Sequence, residues 1–108
     1  MSRLLVVIVN YKTPKLVCDA LASLEKEVDL KQDHVVVVDN NSEDDSVVFI
    51  DQYVFDQGFS DWVSIVVAEK NGGFSYGNNI GITSTIADYY LLLNSDAYVV
   101  PGAIESLI

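Results

Sequence analysis

The sequence predicts an α/β fold, an open and mainly parallel sheet with flanking helices in the Rossmann-like manner. Two observations lead to this prediction. Four apolar runs have the length of strands and little polar alternation, which is typical of strands covered on both faces. The segments between them carry helix-start signals or apolar residues at helical spacing. The order is therefore βαβαβαβ, which favours right-handed crossovers between parallel strands.

The four predicted strands are residues 3–9, 35–38, 62–68 and 89–93. The first is a continuous aliphatic run, RLLVVIV, that is rich in β-branched residues. The last is apolar or aromatic throughout and is therefore predicted to be covered on both sides.

Helices are predicted over residues 14–26, through the apolar run 47–54 and over residues 75–85. Thr13 and Pro14 mark the first start, a cap residue followed by proline at the first helical position. Acidic residues at 43–45 precede the second helix, where they favour the positive end of its dipole. Gly77 and Gly81 weaken the third prediction, because glycine is a poor helix former. Residues 103–108 resemble the start of a fourth helix.

Length and composition indicate one domain over residues 1–108. Half of the residues are hydrophobic, which argues against disorder, and no apolar run reaches the roughly 20 residues that span a bilayer. The net charge of −10 argues against a nucleic-acid partner, because no basic stripe exists to neutralise phosphates. A phosphate ligand would need a metal ion or backbone donors on so acidic a protein. The single cysteine, Cys18, indicates a buried thiol in a reducing, cytoplasmic compartment.

Polar residues follow every predicted strand. They are Asn10-Tyr11, Asp39-Asn40-Asn41, Asn71-Gly72-Gly73 and Asn94-Ser95-Asp96. Because the carboxyl ends of parallel strands share one edge, these segments are expected to meet on one rim. Turn chemistry explains any one of them, since Asn, Ser and Asp side chains bond to nearby backbone. Four together favour a nucleotide site, in which a carboxylate binds base or ribose and another holds a divalent metal on phosphates.

Other residues have plainer interpretations. Cys18 is predicted to be inert core, and His34 to be structural or exposed. Lys12 and Lys70 lie at the rim, where solvated lysines are commoner than phosphate ligands. Six aromatic residues are predicted to be core or sheet-facing: Phe49, Tyr53, Phe55, Trp62, Tyr89 and Tyr90.

Four blocks of the chain carry a family resemblance. They are VVIVNYKTPKLVCDALASL, VVVVDNNSEDDS, EKNGGFSYGNNIGI and YYLLLNSDAYVVPGAI, and they span nearly the whole sequence. In this order they resemble the amino-terminal part of the inverting, nucleotide-sugar-dependent glycosyltransferases of family 2, which have the GT-A fold. The second and third blocks are most similar to the rhamnosyltransferase-like branch.

The resemblance implies a role for each matching residue. Asn10 and Tyr11 would lie against the nucleotide, and Asp39 would bind its base or ribose. The nucleotide cleft would be lined by Asn71, Gly72 and Gly73, with Asn78 and Asn79 nearby. Asp96 would match the last aspartate of the DxD motif, which holds Mg²⁺ or Mn²⁺ on the donor diphosphate. Asn94 stands at the first DxD position and is a second possible metal ligand.

The same resemblance implies what the complete enzyme does. It would transfer a sugar from a nucleotide diphosphate sugar to a saccharide or lipid-linked acceptor with inversion, and membrane association would come through the full-length protein or its acceptor. The general base is expected beyond Ile108, in the acceptor-binding half, so residues 1–108 are predicted to bind the donor without transferring it. The alternatives are a non-catalytic nucleotide-binding or self-associating module, and a metal-binding phosphotransfer domain. Self-association through an exposed sheet face or edge is also predicted.

Overall fold

The computed structural model describes residues 2–96, Gly102 and Ile104. Strands and helices alternate through this part of the chain, which confirms the predicted α/β class. The elements are β1 (Ser2–Asn10), α1 (Pro14–Glu25), β2 (Asp33–Asp39), α2 (Ser46–Gln57), β3 (Val63–Val67), α3 (Phe74–Thr83) and β4 (Ala87–Leu93). The helix predicted at 103–108 lies, apart from Ile104, outside the described residues.

The four strands form one sheet in the order β3-β2-β1-β4, and every neighbouring pair is parallel. The chain runs outward from β1 to β3 and then crosses to the opposite side to add β4. Right-handed crossovers in the two directions place α1 and α2 on one face and α3 on the other. The reversal creates a switch point between β1 and β4, where ligands bind in open parallel sheets.

The central strand β1 supplies both faces of the core. Leu4, Val6 and Ile8 pack towards α1 and α2, while Leu5 and Val7 pack towards α3. All five are buried, because β1 has a neighbouring strand on each side and helices above and below. Fully burying each such side chain contributes about 1.5–3 kcal/mol, which explains why this segment carries no polar alternation.

Helix α1 begins at Pro14, as predicted, but Thr13 does not cap it. The Thr13 side chain makes no hydrogen bond to the first-turn N–H groups. Its hydroxyl lies instead 3.2 Å from Asn10 Oδ1 and 3.3 Å from Ser95 Oγ. The sequence pattern identified the helix start and assigned the wrong partner to the hydroxyl.

The two glycines inside α3 permit close packing on the sheet. A Cβ atom at Gly77 would lie 2.9 Å from a methyl carbon of Val9, and one at Gly81 would lie 2.3 Å from a methyl carbon of Val7. Only a residue without a side chain fits at these distances. Burial against β1 offsets the weak helix propensity of glycine, about 1 kcal/mol per residue.

Strand β4 is not covered on both faces, and that prediction is wrong. It lies at the edge of the described sheet, and Tyr89, Tyr90 and Leu92 are 47%, 42% and 45% exposed. A run of apolar residues predicts burial only where another element covers it. Within the described residues, α3 packs over β1 and β2.

The aromatic prediction is only partly confirmed. Trp62 is buried, and Tyr53 packs edge-on against Phe59 with ring centroids 6.0 Å apart. Phe49 and Phe55, by contrast, are 49% and 74% exposed on α2. Both lie on the side of the helix turned away from the sheet, which the apolar composition of α2 had concealed.

Cys18 is a buried thiol on α1, as predicted. Burial, and to a smaller extent the charge of Asp19, raises the pKa of this thiol to about 11. It is therefore protonated at neutral pH and a poor nucleophile. Among the described residues, no helix has the length and apolar character that crossing a bilayer requires.

Candidate functional site

The structure confirms that the strand ends share one rim. Asn10 at the end of β1 pairs with Asp39 at the end of β2, and Asp39 pairs with Val67 at the end of β3. Ile8 of β1 pairs with Leu93, the last residue of β4. The polar segments that follow the strands therefore begin at nearly one level.

Below this rim, Asn10 and Asp39 form a buried network with Ser42. Asn10 Nδ2 donates to Asp39 Oδ1 over 2.8 Å, and the Ser42 hydroxyl donates to the same oxygen over 2.7 Å. The backbone N–H of Ser42 donates to Asp39 Oδ2 over 3.1 Å. Three donors to one carboxylate offset the cost of burying it, because a buried charge requires partners. The side chains of Asn10 and Asp39 are 0% and 3% exposed.

The other end of Asn10 is bonded as well. Its Oδ1 accepts hydrogen bonds from the backbone N–H of Thr13 over 3.1 Å and from the Thr13 hydroxyl over 3.2 Å. The backbone N–H of Lys12 donates to Ser42 Oγ over 3.0 Å. The Asn10 amide thus fixes the turn after β1 and the loop after β2 relative to each other.

A second amide network joins the ends of β2 and β3. Asn40 Nδ2 donates to Asn71 Oδ1 over 3.0 Å and to the carbonyl oxygen of Gly73 over 2.9 Å. Asn71 Oδ1 also accepts from the backbone N–H of Gly73 over 3.2 Å. Asn40 is buried, and its own Oδ1 has no hydrogen-bond partner. No separate role was predicted for Asn40, although it directly follows Asp39.

The glycine pair shapes the loop before α3. A Cβ atom at Gly72 would lie 2.4 Å from a ring carbon of Tyr76, and Gly73 has a φ of 91°, which side chains disfavour. Gly73 precedes α3 directly, and no side chain caps that helix end. The first N–H groups of α3 are thus free of a side-chain partner beside the cleft.

These elements enclose a cleft of about 280 Å³ that takes residues from the ends of all four strands. Tyr11 and Thr13 follow β1, Asn40 follows β2, Asn71 follows β3 and Ser95 follows β4. The lining residues in the described part of the chain are Val9, Tyr11, Thr13, Asn40, Asn71, Gly73, Phe74 and Ser95. These residues combine two aromatic rings, two amides, two aliphatic hydroxyls and a glycine, and none of them is a carboxylate.

The predicted site residues fall into three groups. Tyr11, Asn71 and Gly73 line the cleft, whereas Asn10 and Asp39 are buried in the network beneath it. Asn79 is exposed on α3, and Gly72, Asn94 and Asp96 are exposed beside the cleft-lining residues of their loops. Asn40 and Ser95, which also line the cleft, belong to the polar segments predicted to meet at the rim, whereas Val9, Thr13 and Phe74 were not predicted to lie at the site.

Two lysines place positive charge near the cleft. Lys12 Nζ lies 5.2 Å from the centre of the Tyr11 ring, and Lys70 Nζ lies 5.5 Å from that of Tyr76. Both distances suit cation–π contacts. The net charge of the protein is −10, which repels anions in general. At the rim, the two lysines and the uncapped start of α3 favour an anion locally.

The described residues after β4 offer a divalent cation few protein ligands. Among the described residues, no group of three or more His, Cys, Asp or Glu side chains could hold a metal ion. Asp96 offers one exposed carboxylate, with the Asn94 amide two positions away. Mg²⁺ is commonly held by one or two carboxylates together with substrate phosphates and water, so this donor set suits a metal that arrives with its ligand.

Comparison with known proteins gives one family match. The sequence model described as "Glycosyl transferase family 2" matches residues 5–108, almost the whole chain. No curated protein sequence gives a significant match.

Solved structures share the fold of this chain. Residues 1–349 of TarS from S. aureus superpose with a TM-score of 0.82 at 22% identity, covering 97% of this chain and 31% of that one. The same protein in complex with UDP-GlcNAc gives a TM-score of 0.82 at 22% identity, covering 97% and 30%. The mannosyltransferase PcManGT from Pyrobaculum calidifontis, in complex with GDP-Man and Mn²⁺, gives 0.81 at 18% identity, covering 94% and 29%. This chain spans about a third of the length of these structures.

Proposed function

The chain belongs to glycosyl transferase family 2, and from this premise we propose that it forms the donor-binding part of an inverting glycosyltransferase. The donor is a nucleoside diphosphate sugar, and the sugar moves to an acceptor hydroxyl. Structures with the same fold hold UDP-GlcNAc in one case and GDP-Man with Mn²⁺ in another. They support the ligand class without fixing the base or the sugar.

The cleft at the switch point is the observation that carries this proposal. It gathers Tyr11, Asn40, Asn71, Gly73 and Ser95 from the ends of four strands that are distant in sequence. An aromatic face suits a nucleobase, and amide oxygens and nitrogens suit its polar edge. The glycine loop lets the ligand approach the backbone at the start of α3.

In this proposal, Asp39 and Asn10 act from beneath the cleft. Asp39 Oδ1 already accepts two hydrogen bonds, whereas Oδ2 accepts one, from the Ser42 backbone. Oδ2 therefore keeps acceptor capacity for a base N–H or a ribose hydroxyl. Asn10 holds the carboxylate in place through its hydrogen bond to Oδ1.

Asp96 holds the divalent cation in this proposal, and Asn94 is the possible second ligand. The bound cation, Mg²⁺ or Mn²⁺, would neutralise charge on the departing diphosphate. Lys12, which lies over the ring of the cleft-lining Tyr11, and Lys70, which precedes the cleft-lining Asn71, would add to this neutralisation. The chain's own contribution is to place one carboxylate beside the phosphate end of the cleft.

The acceptor, a saccharide or lipid-linked hydroxyl, needs a general base. None of the described residues that line the cleft is an Asp or Glu. We therefore propose that residues 1–108 bind the donor and do not transfer its sugar, the base being supplied from the acceptor-binding half.

Calorimetry with UDP, dTDP and GDP, each with and without Mn²⁺, tests the proposal on the wild type and on Asp96→Ala. We expect at least one nucleotide to bind, and Mn²⁺ to strengthen that binding through Asp96. The matched control is Asp88→Ala, which removes an exposed aspartate from the opposite end of β4.

Binding that is indifferent to both Mn²⁺ and Asp96 would remove the metal assignment. Failure of all three nucleotides to bind would remove the donor-site proposal itself. Sugar transfer by the isolated 108 residues would show that the base lies within them.

A further inference from the structure

We infer that Thr13 is a positioning residue that joins the nucleotide end of the cleft to the segment carrying Asp96. Through it, the binding of a nucleoside diphosphate and that of a divalent cation strengthen each other. The inference rests on the proposed function and adds a residue that the sequence pattern assigned to helix capping.

A continuous run of side-chain hydrogen bonds crosses three strand ends. Ser95 Oγ lies 3.3 Å from Thr13 Oγ1, which lies 3.2 Å from Asn10 Oδ1. The amide of the same Asn10 donates to Asp39 Oδ1 over 2.8 Å. The run therefore begins next to Asp96 and ends on the buried carboxylate proposed for the base or ribose.

The direction of this run depends on which of the two contacts receives the single hydroxyl proton of Thr13. Thr13 has a single hydroxyl proton, and when Asn10 Oδ1 accepts it, the Ser95 hydroxyl donates to Thr13. Every bond then points towards the Asp39 carboxylate, the arrangement in which successive hydrogen bonds polarise one another. The Ser95 oxygen can then accept a hydrogen bond from a ligand that binds beside Asp96.

The hydrogen bond between Thr13 and Ser95 connects the 94–96 segment to the end of β1. Backbone pairing between β1 and β4 ends at Ile8 and Leu93, so the 94–96 segment lies beyond the sheet ladder. In the described part of the chain, the Thr13–Ser95 contact is the one side-chain hydrogen bond that ties this segment to the other strand ends. Thr13 and Ser95 both line the cleft and face it from opposite sides of the switch point.

Coupling follows from this geometry. A ligand with its base near Asp39 and its diphosphate near Asp96 must meet both ends at one fixed separation. A bond that holds this separation beforehand lowers the cost of ordering the loop on binding. By linkage, the factor by which the cation strengthens nucleotide binding equals the factor by which the nucleotide strengthens cation binding.

The test compares Thr13→Val, which keeps the shape and loses the hydroxyl, with Thr13→Ser, which keeps the hydroxyl. UDP and GDP affinities are measured by calorimetry with and without Mn²⁺. We expect the gain from Mn²⁺ to fall by about fivefold in Thr13→Val, the change that corresponds to one ordinary hydrogen bond. The quantity compared is the ratio of the affinities with and without Mn²⁺ within each variant, so a loss of nucleotide affinity common to both conditions cancels. Thr13→Ser retains the gain.

Ser95→Ala provides a second route to the same bond without touching the start of α1. It should reduce the Mn²⁺ gain as Thr13→Val does, and the double variant should be no worse than either single one. A Mn²⁺ gain that survives in both single variants overturns the inference and leaves the proposed function intact. Absence of nucleotide binding by the wild type removes both.

Discussion

Asn10 donates a hydrogen bond from Nδ2 to Asp39 Oδ1 over 2.8 Å, and both side chains are buried beneath the rim of the sheet. The two residues end neighbouring parallel strands and are register partners. A neutral amide therefore stabilises a buried carboxylate at the base of the cleft, and the charge is held by donors from two elements.

Replacing Asp39 with Asn tests this network. The amide keeps one acceptor oxygen, but the NH₂ group that replaces the second oxygen cannot accept from the backbone N–H of Ser42, so that buried donor loses its partner. We expect the free energy of unfolding to fall by about 1–3 kcal/mol, measured by urea denaturation. Asp45→Asn is the matched control, because Asp45 is exposed and makes no side-chain cap to α2. Equal stability of the two variants would contradict the prediction.

Gly81→Ala tests the packing of α3 on the sheet. The added Cβ would lie 2.3 Å and 3.0 Å from the two methyl carbons of Val7, so the helix or the strand must shift. We expect a loss of about 1–3 kcal/mol, despite the better helix propensity of alanine. Ser75→Ala, at an exposed position of α3, should cost far less.

The double variant with Val7→Ala isolates the clash. If the contact with Val7 is the cause, Gly81→Ala costs less in the Val7→Ala background than in the wild type. Additive losses would place the strain elsewhere.

The partial burial of His34 leads us to expect that the free energy of unfolding depends on pH. Its Nε2 lies 2.7 Å from Ser64 Oγ, and burial lowers the pKa of the imidazole from its ordinary 6.5. The unfolded chain thus binds the proton more tightly, so stability is complete above pH 6.5 and is lost as the pH falls from there through the lower folded pKa. The free energy of unfolding at about pH 5.5 should be lower than at about pH 7.5.

His34→Gln should flatten this difference, since His34 is the single histidine of the chain. The lowered pKa values of Asp29 and Asp44 do not interfere. Hydrogen bonds from the backbone of Lys31 and from Ser46 are the first causes of those two shifts. Stability from these carboxylates is lost only as the pH falls below their ordinary 3.8. An unchanged pH dependence in His34→Gln would assign the effect to other groups.

Self-association through β4 stays a prediction, and it can be tested at the exposed side chains of this strand. Tyr90 and Leu92 lie on the α3 side of the sheet, in register with the buried Leu5 and Val7. We expect the wild type to form dimers or larger species at high concentration, and Leu92→Lys to reduce them. Light scattering measures both. Val48→Lys introduces the same charge at an exposed site on α2 and should have little effect. A monomeric wild type would rule the idea out.

The sequence predicted the strand and helix order because apolar periodicity and strand-end chemistry are local signals. It also predicted that four polar segments meet, since this follows from parallel pairing alone. Coverage of β4 was mispredicted because it depends on what packs over Tyr90 and Leu92. Thr13 was mispredicted because a hydroxyl before Pro14 has the same local pattern whether it caps a helix or bonds to Ser95.

The strand order also sets a sequence of events in folding. β1 pairs with β2 across a connection of one helix, but the pairing of Leu4 with Tyr89 closes a loop that contains most of the chain. Closing a longer loop costs more entropy, and such distant contacts slow folding. We expect β4 to join after β1, β2 and β3 have paired, so pulse-labelled hydrogen exchange should protect the amides of β4 last. Protection of β4 together with β2 would contradict this order. The Asp39 end of the cleft is then assembled first, and the Asp96 end is added to a surface that is already formed.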